Sequence, residues 1–377
     1  MKLLIVLPHL RGGGAQRVAV NLINHLDRDI SLNLFLINND GFLINFIEKD
    51  IQIFTSKAKK TKNALFELKK IIDQHNYDAI FTMKDYLGFL VCITVAMTKS
   101  KPPIIYREVI HKSASDSCEI KNNIIRNIWY YIERFVYKKV NKIIVPSYSM
   151  KLDLKLNYKI SETKIKVINN PVDIKKIIYL AKQDVDHPWF TSTVPLVIGM
   201  GRLTGQKGFY ELIKAVKLVN DKNIILRLVI IGVGEEKPRL KIVVDELQLN
   251  DRVDFLGAQE NPYKFIARAD MFVSSSFYEG FPNALLEAMA CDTVIISTDC
   301  LSGPAEIINN YENGILVPVG DVEKIAEEIA NLIENPQLAE HLSTAAKKTV
   351  LEKYAANVVA KEYQAVFADL IQNIESK

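Results

Sequence analysis

Short, wholly apolar runs recur along this chain, with amphipathic segments between them. Lys2–Leu7 (KLLIVL) is followed by a glycine-rich turn and the helical pattern Ala15–Leu26. The strand signal then repeats at Leu32–Ile37, Ile51–Phe54, Ala79–Thr82, Ile104–Tyr106, Ile143–Val145 and Ile165–Ile168. Apolar runs without polar alternation indicate strands buried on both faces, and helical connections between them indicate parallel pairing. The first half therefore reads as a doubly wound α/β domain.

The turn NNPVD (Asn169–Asp173) and a lysine-rich stretch up to Phe190 interrupt the alternation, which then restarts. Strands are expected at Leu196–Met200, Leu226–Ile231, Val253–Leu256, Met271–Ser274, Val294–Ser297 and Ile315–Val317. Helices are expected at Phe209–Asn220, Glu235–Leu247, Asn261–Arg268 and Pro282–Ala290, with three more helical patterns at the end. The division predicted is a domain over 1–173, a connector over 174–190 and a second Rossmann-like domain over 191–356. The terminal helix 357–377 is expected to pack back on the first domain. Two such domains in series place a ligand cleft at the carboxyl ends of their strands.

Composition agrees with this picture and narrows it. Of 377 residues, 49% are hydrophobic and 24% charged, a globular balance rather than a disordered one. The longest apolar candidate for a membrane span, Phe89–Met97, is far short of the roughly 20 residues required. The apolar run before Pro8 is too short for a signal peptide, so a cytoplasmic enzyme is expected. Cys92, Cys118, Cys291 and Cys300 show no paired spacing and read as reduced thiols. Charge is uneven: residues 1–190 hold 30 Lys and Arg against 18 Asp and Glu, and the remainder 18 against 26. A basic half suggests an anionic partner.

The candidate chemistry begins at Phe277–Met289, FYEGFPNALLEAM. Ser274–Ser276 ends a strand, and Pro282 suits the first turn of the helix that follows. Unpaired N–H groups and the positive end of the helix dipole make such a start an anion site, suited to phosphate. Glu279 and Glu287 cannot bind that phosphate, because like charges repel; they can accept hydrogen bonds from hydroxyls on either side of it. The segment GMGRLTGQKGF (Gly199–Phe209) leaves a strand and enters a helix, placing Arg202 and Lys207 at the strand's carboxyl end. Arginine can fork two phosphate oxygens and lysine adds a point charge. HLRGGGAQR (His9–Arg17) makes the equivalent turn in the first domain, where glycines let backbone N–H groups approach a ligand.

GxGRLxxxKG together with E-x7-E, in this order and on these elements, resembles the retaining GT-B glycosyltransferases of family 4, and the resemblance covers essentially the whole chain. It implies that Arg202 and Lys207 bind the diphosphate of a nucleotide-sugar donor, that Glu279 meets the transferred sugar and that Glu287 meets the nucleotide ribose. It counts Gly280, Phe281, Pro282, Asn283 and Leu285 among the donor-binding residues, with Gly13 and Gly14 closing over the diphosphate and Val253–Gly257 near the base. SGPAEII (Ser302–Ile308) resembles members that use UDP-hexoses or UDP-N-acetylhexosamines. The implied reaction retains anomeric configuration by front-face displacement, with Glu279, Arg202 and Lys207 as its catalytic residues. No cofactor and no divalent metal is expected; the one DxD, Asp184–Asp186, lies in the connector. Two departures stand out. Gln16 occupies a position where members commonly carry glutamate. No histidine aligns cleanly at the strand end in IIYREVIHK (Ile104–Lys112), which leaves Arg107, Glu108 and His111 as candidates for the acceptor side.

Ser56–Lys70 holds six lysines and one glutamate, and Ile120–Lys142 mixes basic residues with Trp129, Tyr130, Tyr131, Phe135 and Tyr137. Two readings stand: an amphipathic helix packing its aromatics inward, or a face resting on anionic lipid beside a polyprenyl-diphosphate-linked glycan acceptor. That would make the enzyme peripheral on the inner face of the cytoplasmic membrane. No nucleic-acid-binding module accompanies the charge. The rivals are a nucleotide-sugar epimerase of the same architecture and a non-catalytic sugar-nucleotide sensor. A dinucleotide oxidoreductase would need GxGxxG, which GGGAQR does not supply.

Overall fold

A computed structural model describes residues 1–57, 64–119 and 122–375. The basic stretch Ser56–Lys70 therefore lies partly outside the described residues. The chain divides into two compact units, 1–171 with 356–377, and 172–355.

The first unit runs β1 (Lys2–Leu7), α1 (Gly14–His25), β2 (Ser31–Leu36), β3 (Gln52–Thr55), α2 (Ala64–His75), β4 (Ala79–Met83), α3 (Asp85–Ala96), β5 (Ile104–Arg107), α4 (Lys112–Glu119), α5 (Asn123–Lys139), β6 (Lys142–Val145), α6 (Tyr148–Leu156) and β7 (Ile165–Val167). Among the described residues these strands form one parallel sheet of order β3-β2-β1-β4-β5-β6-β7. Its two faces bury separate apolar clusters. Leu4, Val6, Ile80, Ile104 and Tyr106 lie on one side, and Leu3, Ile5, Phe81 and Ile105 on the other. This is the side-chain alternation of a strand covered on both faces.

The second unit runs α7 (Ile174–Ala181), β8 (Leu196–Met200), α8 (Phe209–Asp221), β9 (Arg227–Ile231), α9 (Lys237–Glu246), β10 (Val253–Gly257), α10 (Tyr263–Ile266), β11 (Met271–Ser274), α11 (Asn283–Ala290), β12 (Val294–Thr298), α12 (Pro304–Ile307), β13 (Ile315–Val317), α13 (Val322–Glu334) and α14 (Pro336–Lys353). Its parallel sheet has the order β10-β9-β8-β11-β12-β13. Each sheet thus reverses its strand order once, at β1/β4 and at β8/β11. Ligands of open α/β sheets bind beyond the carboxyl ends of strands at such points.

The segment 174–190, expected as a connector, is instead built into the second unit. The Asp173 side chain caps α7 by accepting from Lys176 N at 3.1 Å. Ile174 and Ile177 bury into the same apolar cluster as Leu196 and Phe272. An N-cap followed by apolar residues at helical spacing makes a packed helix, not a tether.

The last helix, α15 (Ala356–Glu375), belongs to the first unit, where Tyr363 and Phe367 pack on Phe81. Phe367 is fully buried. Replacing it with Ala should cost about 3–5 kcal/mol, the loss of a large core ring plus the cavity it leaves. Chemical denaturation of this variant should show an earlier first transition with little change in the transition of the second unit.

Candidate active site

The loops beyond β8 and β11 are locked to each other. Gly208 ends the β8 loop at φ 61°, and a Cβ there would lie 2.0 Å from the Ser275 carbonyl oxygen. Only glycine allows that approach. Phe277 N donates to Gln206 O at 2.8 Å, Gln206 Nε2 to Tyr278 O at 2.8 Å and Ser275 Oγ to Lys207 O at 3.0 Å. These bonds bring Lys207 and Glu279 into direct contact, with Nζ and Oε1 2.5 Å apart, and Ser276 Oγ donates to the same oxygen at 2.7 Å. The contact was not foreseen from the sequence, which placed the two residues on different parts of a ligand. Glu279 is buried. Arg202 is exposed, with a guanidinium tied only loosely, at 3.4 Å, to Gln206 Oε1.

A second turn, between β9 and α9, was missed although its sequence, IIGVGEE, is a strand running into a spaced glycine pair. Gly201 N donates to Ile231 O at 3.0 Å and Leu203 N to Val233 O at 2.9 Å, bracketing Arg202. A Cβ on Gly232 would sit 1.8 Å from Gly201 O. The β9 turn therefore fixes the backbone that carries Arg202.

Beyond Glu279 the loop is braced by the segment following β12. Ser302 Oγ donates to Gly280 O at 2.7 Å, and Tyr278 forms a bridge with Leu301. Helix α11 starts at Asn283, so Pro282 is its extended N-cap rather than a first-turn residue. Pro282 and Gly280 are buried and Asn283 is partly exposed. Phe281 and Leu285, counted among the donor-binding residues, have their side chains in the apolar core, Phe281 against Tyr354 at 5.7 Å between ring centres. Any ligand contact they make is through backbone. Glu287 is buried and lies away from the Lys207 contact; its Oε1 accepts from Tyr263 Oη at 3.3 Å, on the helix that follows β10.

The local electrostatics leave the neighbouring thiols inert. Burial, then the Glu279 charge, pushes the Cys300 thiol up to about 12, and burial followed by Glu287 raises Cys291 as well. Neither is a thiolate nucleophile at neutral pH. Asp184 and Asp186 are exposed in the coil after α7.

In the first unit, Gly13 is the N-cap of α1 and Gly14 its first residue. The three acceptor-side candidates prove to be structural. Arg107 is 2% exposed; its Nε donates to Tyr363 Oη at 2.7 Å and its Nη2 to Asn170 Oδ1. Glu108 accepts from Tyr137 Oη at 2.5 Å and from Val109 N at 2.8 Å. Lys112 and Glu133, 3.0 Å apart, complete a buried network with Tyr158. His111 is buried with Nδ1 3.5 Å from Asp153 Oδ2. A buried charge needs an internal partner, and these residues have theirs within the fold.

Burial holds the His111 pKa below its ordinary value of 6.5, against the pull of Asp153. The unfolded chain then binds the proton more readily than the folded one. Stability is full above about pH 6.5 and falls as the pH drops below it. Melting of a His111→Gln variant should depend less on pH than wild type between pH 7 and about 5; parallel curves would exclude His111 as a source of the acid sensitivity.

Two family profiles match this chain: "Glycosyl transferases group 1" over residues 186–349 and "Glycosyltransferase Family 4" over 12–176. The N-acetylgalactosamine-N,N'-diacetylbacillosaminyl-diphospho-undecaprenol 4-alpha-N-acetylgalactosaminyltransferase of Campylobacter jejuni is 27% identical, across 92% of this chain and 94% of that one. An uncharacterised glycosyltransferase of Methanocaldococcus jannaschii is 30% identical over 70% of this chain and 67% of its own. Among solved structures, Anabaena HepE in complex with UDP-glucose superposes with a TM-score of 0.80 at 19% identity, covering 98% of this chain and all of that one. At that identity the likeness speaks for the fold. Profiles, relatives and fold agree: the chain belongs to the family 4 glycosyltransferases, enzymes of GT-B fold.

Proposed function

We propose that this glycosyltransferase moves a hexose or N-acetylhexosamine from a UDP-sugar, with retention and without a divalent metal, to a hydroxyl of a lipid-linked glycan acceptor during polysaccharide or glycoconjugate synthesis. The observation that carries the reading is the grouping of Arg202, Lys207 and Glu279 beyond the β8/β11 switch point. Breaking the bond between sugar and nucleoside diphosphate puts negative charge on the leaving phosphate. Arg202, Lys207 and the N-terminus of α11 are the groups to receive it, and preorganised donors of this kind dominate transition-state stabilisation. Glu279 is the residue assigned to the hydroxyls of the transferred sugar, and Glu287 to the ribose. Before donor binding Glu279 also neutralises Lys207; an arriving phosphate competes for that ammonium and frees the carboxylate for the sugar. The chemistry is displacement on the face the leaving group departs from, within the ion pair.

Support for the acceptor class comes from relatives and from the surface. The Campylobacter relative's name specifies a diphospho-undecaprenol-linked sugar. On α5, Ile124, Ile128, Tyr131 and Phe135 are exposed along one helical face, while Glu133, Val136 and Tyr137 are buried on the other. Tyr148, Leu152 and Leu156 repeat the pattern on α6. Among the described residues no helix is long and apolar enough to cross a membrane. An exposed apolar stripe with Arg126, Lys138 and Lys139 on the same helix suits a peripheral seat on anionic lipid, at about 1 kcal/mol for each basic residue near the surface. Sedimentation with anionic vesicles should fall as salt rises, and Ile128→Ser with Tyr131→Ser should weaken it further; no sedimentation at any salt would remove the membrane from the reading.

The deciding experiment is a donor-hydrolysis screen across UDP-, GDP- and ADP-sugars in the presence of EDTA, followed by trials of lipid-linked acceptors with the donor found. Cleavage of a UDP-sugar under EDTA is the expected result. Cleavage restored only by added Mg²⁺ or Mn²⁺ would refute the metal-free mechanism, and a β-linked product from an α-linked donor would refute retention.

A further inference from the structure

The first unit has a switch point of its own, between β1 and β4. Two turns end there. The turn after β1 carries His9, Arg11 and Gly12–Gly14; the turn after β4 is Lys84, the N-cap of α3. Lys84 has φ 76°, a left-handed conformation that non-glycine residues adopt rarely and that persists where the surroundings impose it, often at ligand sites. The surroundings here are identifiable. Gln16, on α1 and 3% exposed, has its side-chain amide between the two turns. It donates to Gly12 O at 3.2 Å and accepts from Lys84 Nζ at 3.2 Å. A buried carboxamide thus ties the ammonium to the glycine turn.

His9 completes the group. Its Nδ1 accepts from Arg11 N at 3.3 Å, which leaves the proton of the neutral ring on Nε2. Burial and then the charges of Lys84 and Arg11 hold it in that neutral form. Arg11 is itself paired with Asp40, Nε to Oδ2 at 2.7 Å. The arrangement presents an ammonium, a neutral imidazole donor and glycine N–H groups at the place where an open α/β sheet binds its ligand.

We propose that Lys84, positioned by Gln16 beside His9 and the Gly12–Gly14 turn, binds a phosphate oxyanion in the transfer reaction, a task separate from that of Arg202 and Lys207. The inference rests on the reading of the enzyme as one that uses a nucleoside-diphosphate sugar. The oxyanion has two possible sources of the same chemistry, the donor's diphosphate or the diphosphate of a lipid-linked acceptor.

The test compares wild type with Lys84→Gly and Lys84→Arg. Glycine adopts φ 76° without strain, so the first variant removes the ammonium and leaves the turn intact. UDP and inorganic pyrophosphate affinities are measured by calorimetry, and KM is measured with donor and acceptor varied in turn. Loss of one charge-assisted hydrogen bond should weaken binding about tenfold. A tenfold rise in the UDP Kd and the donor KM assigns the oxyanion to the donor. The same rise in acceptor KM alone, at unchanged UDP affinity, assigns it to the acceptor. In either case Lys84→Arg should recover most of the loss. All constants within twofold of wild type in Lys84→Gly overturn the inference. If Arg202→Ala loses UDP binding in parallel, the underlying reading still stands; if wild type binds no UDP, GDP or ADP, both fall.

Discussion

Replacing Arg202 with Ala should lower kcat/KM for the nucleotide-sugar by about 10²–10³ while leaving the melting temperature within a degree or two of wild type. The two halves of that expectation have different causes. Arg202 is exposed and its guanidinium is held only at 3.4 Å from Gln206, so its removal breaks little of the fold. Its backbone, by contrast, is fixed on both sides by bonds to Ile231 and Val233, so the side chain always leaves from one place. A cation aimed in advance at a developing charge acts in the transition state without reorganisation. Arg202→Lys should recover only part of the rate, because an ammonium cannot fork two oxygens. Steady-state kinetics on the three proteins decide the matter; an Arg202→Ala rate within threefold of wild type would remove this residue from the chemistry.

Glu279→Ala should cut transfer by a similar factor, on the order of 10²–10³, with the opposite consequence for nucleotide affinity. In the structure the carboxylate holds Lys207 at 2.5 Å, so removing it releases an ammonium for phosphate. Calorimetry should therefore show UDP binding unchanged or tightened in the variant that has lost turnover. A variant that loses both together would mean that Glu279 only positions Lys207. The isosteric Glu279→Gln separates charge from shape: the amide can still meet a hydroxyl, so it should retain more activity than Ala. Some loss of stability is expected in the Ala variant, because the 17%-exposed Lys207 side chain is left without its carboxylate partner.

The order of elements was legible in the chain. Leu196–Met200, Met271–Ser274 and Ile315–Val317 are strands with the bounds that their apolar runs predict, because a strand covered on both faces has no polar interruption to blur it. The loops that carry Arg202, Lys207 and Glu279 were legible for the same reason: they begin where those runs stop. What the runs do not encode is the direction in which a side chain at their end points. Arg107 read as a site residue at a strand terminus. Alternation along β5 instead sends Tyr106 towards Tyr137 and Arg107 towards Tyr363, which lies 256 residues away in the chain.

The sequence by itself thus determined two doubly wound sheets and the loops at their carboxyl ends, since local periodicity and turn chemistry depend on near neighbours. Only the tertiary structure decided which charges meet. It joined Lys207 to Glu279, buried Glu108 with Tyr137, and set Gln16 against Lys84. Those pairings follow from how distant loops pack, and a charge is a ligand group or a structural one according to whether the fold has already given it a partner.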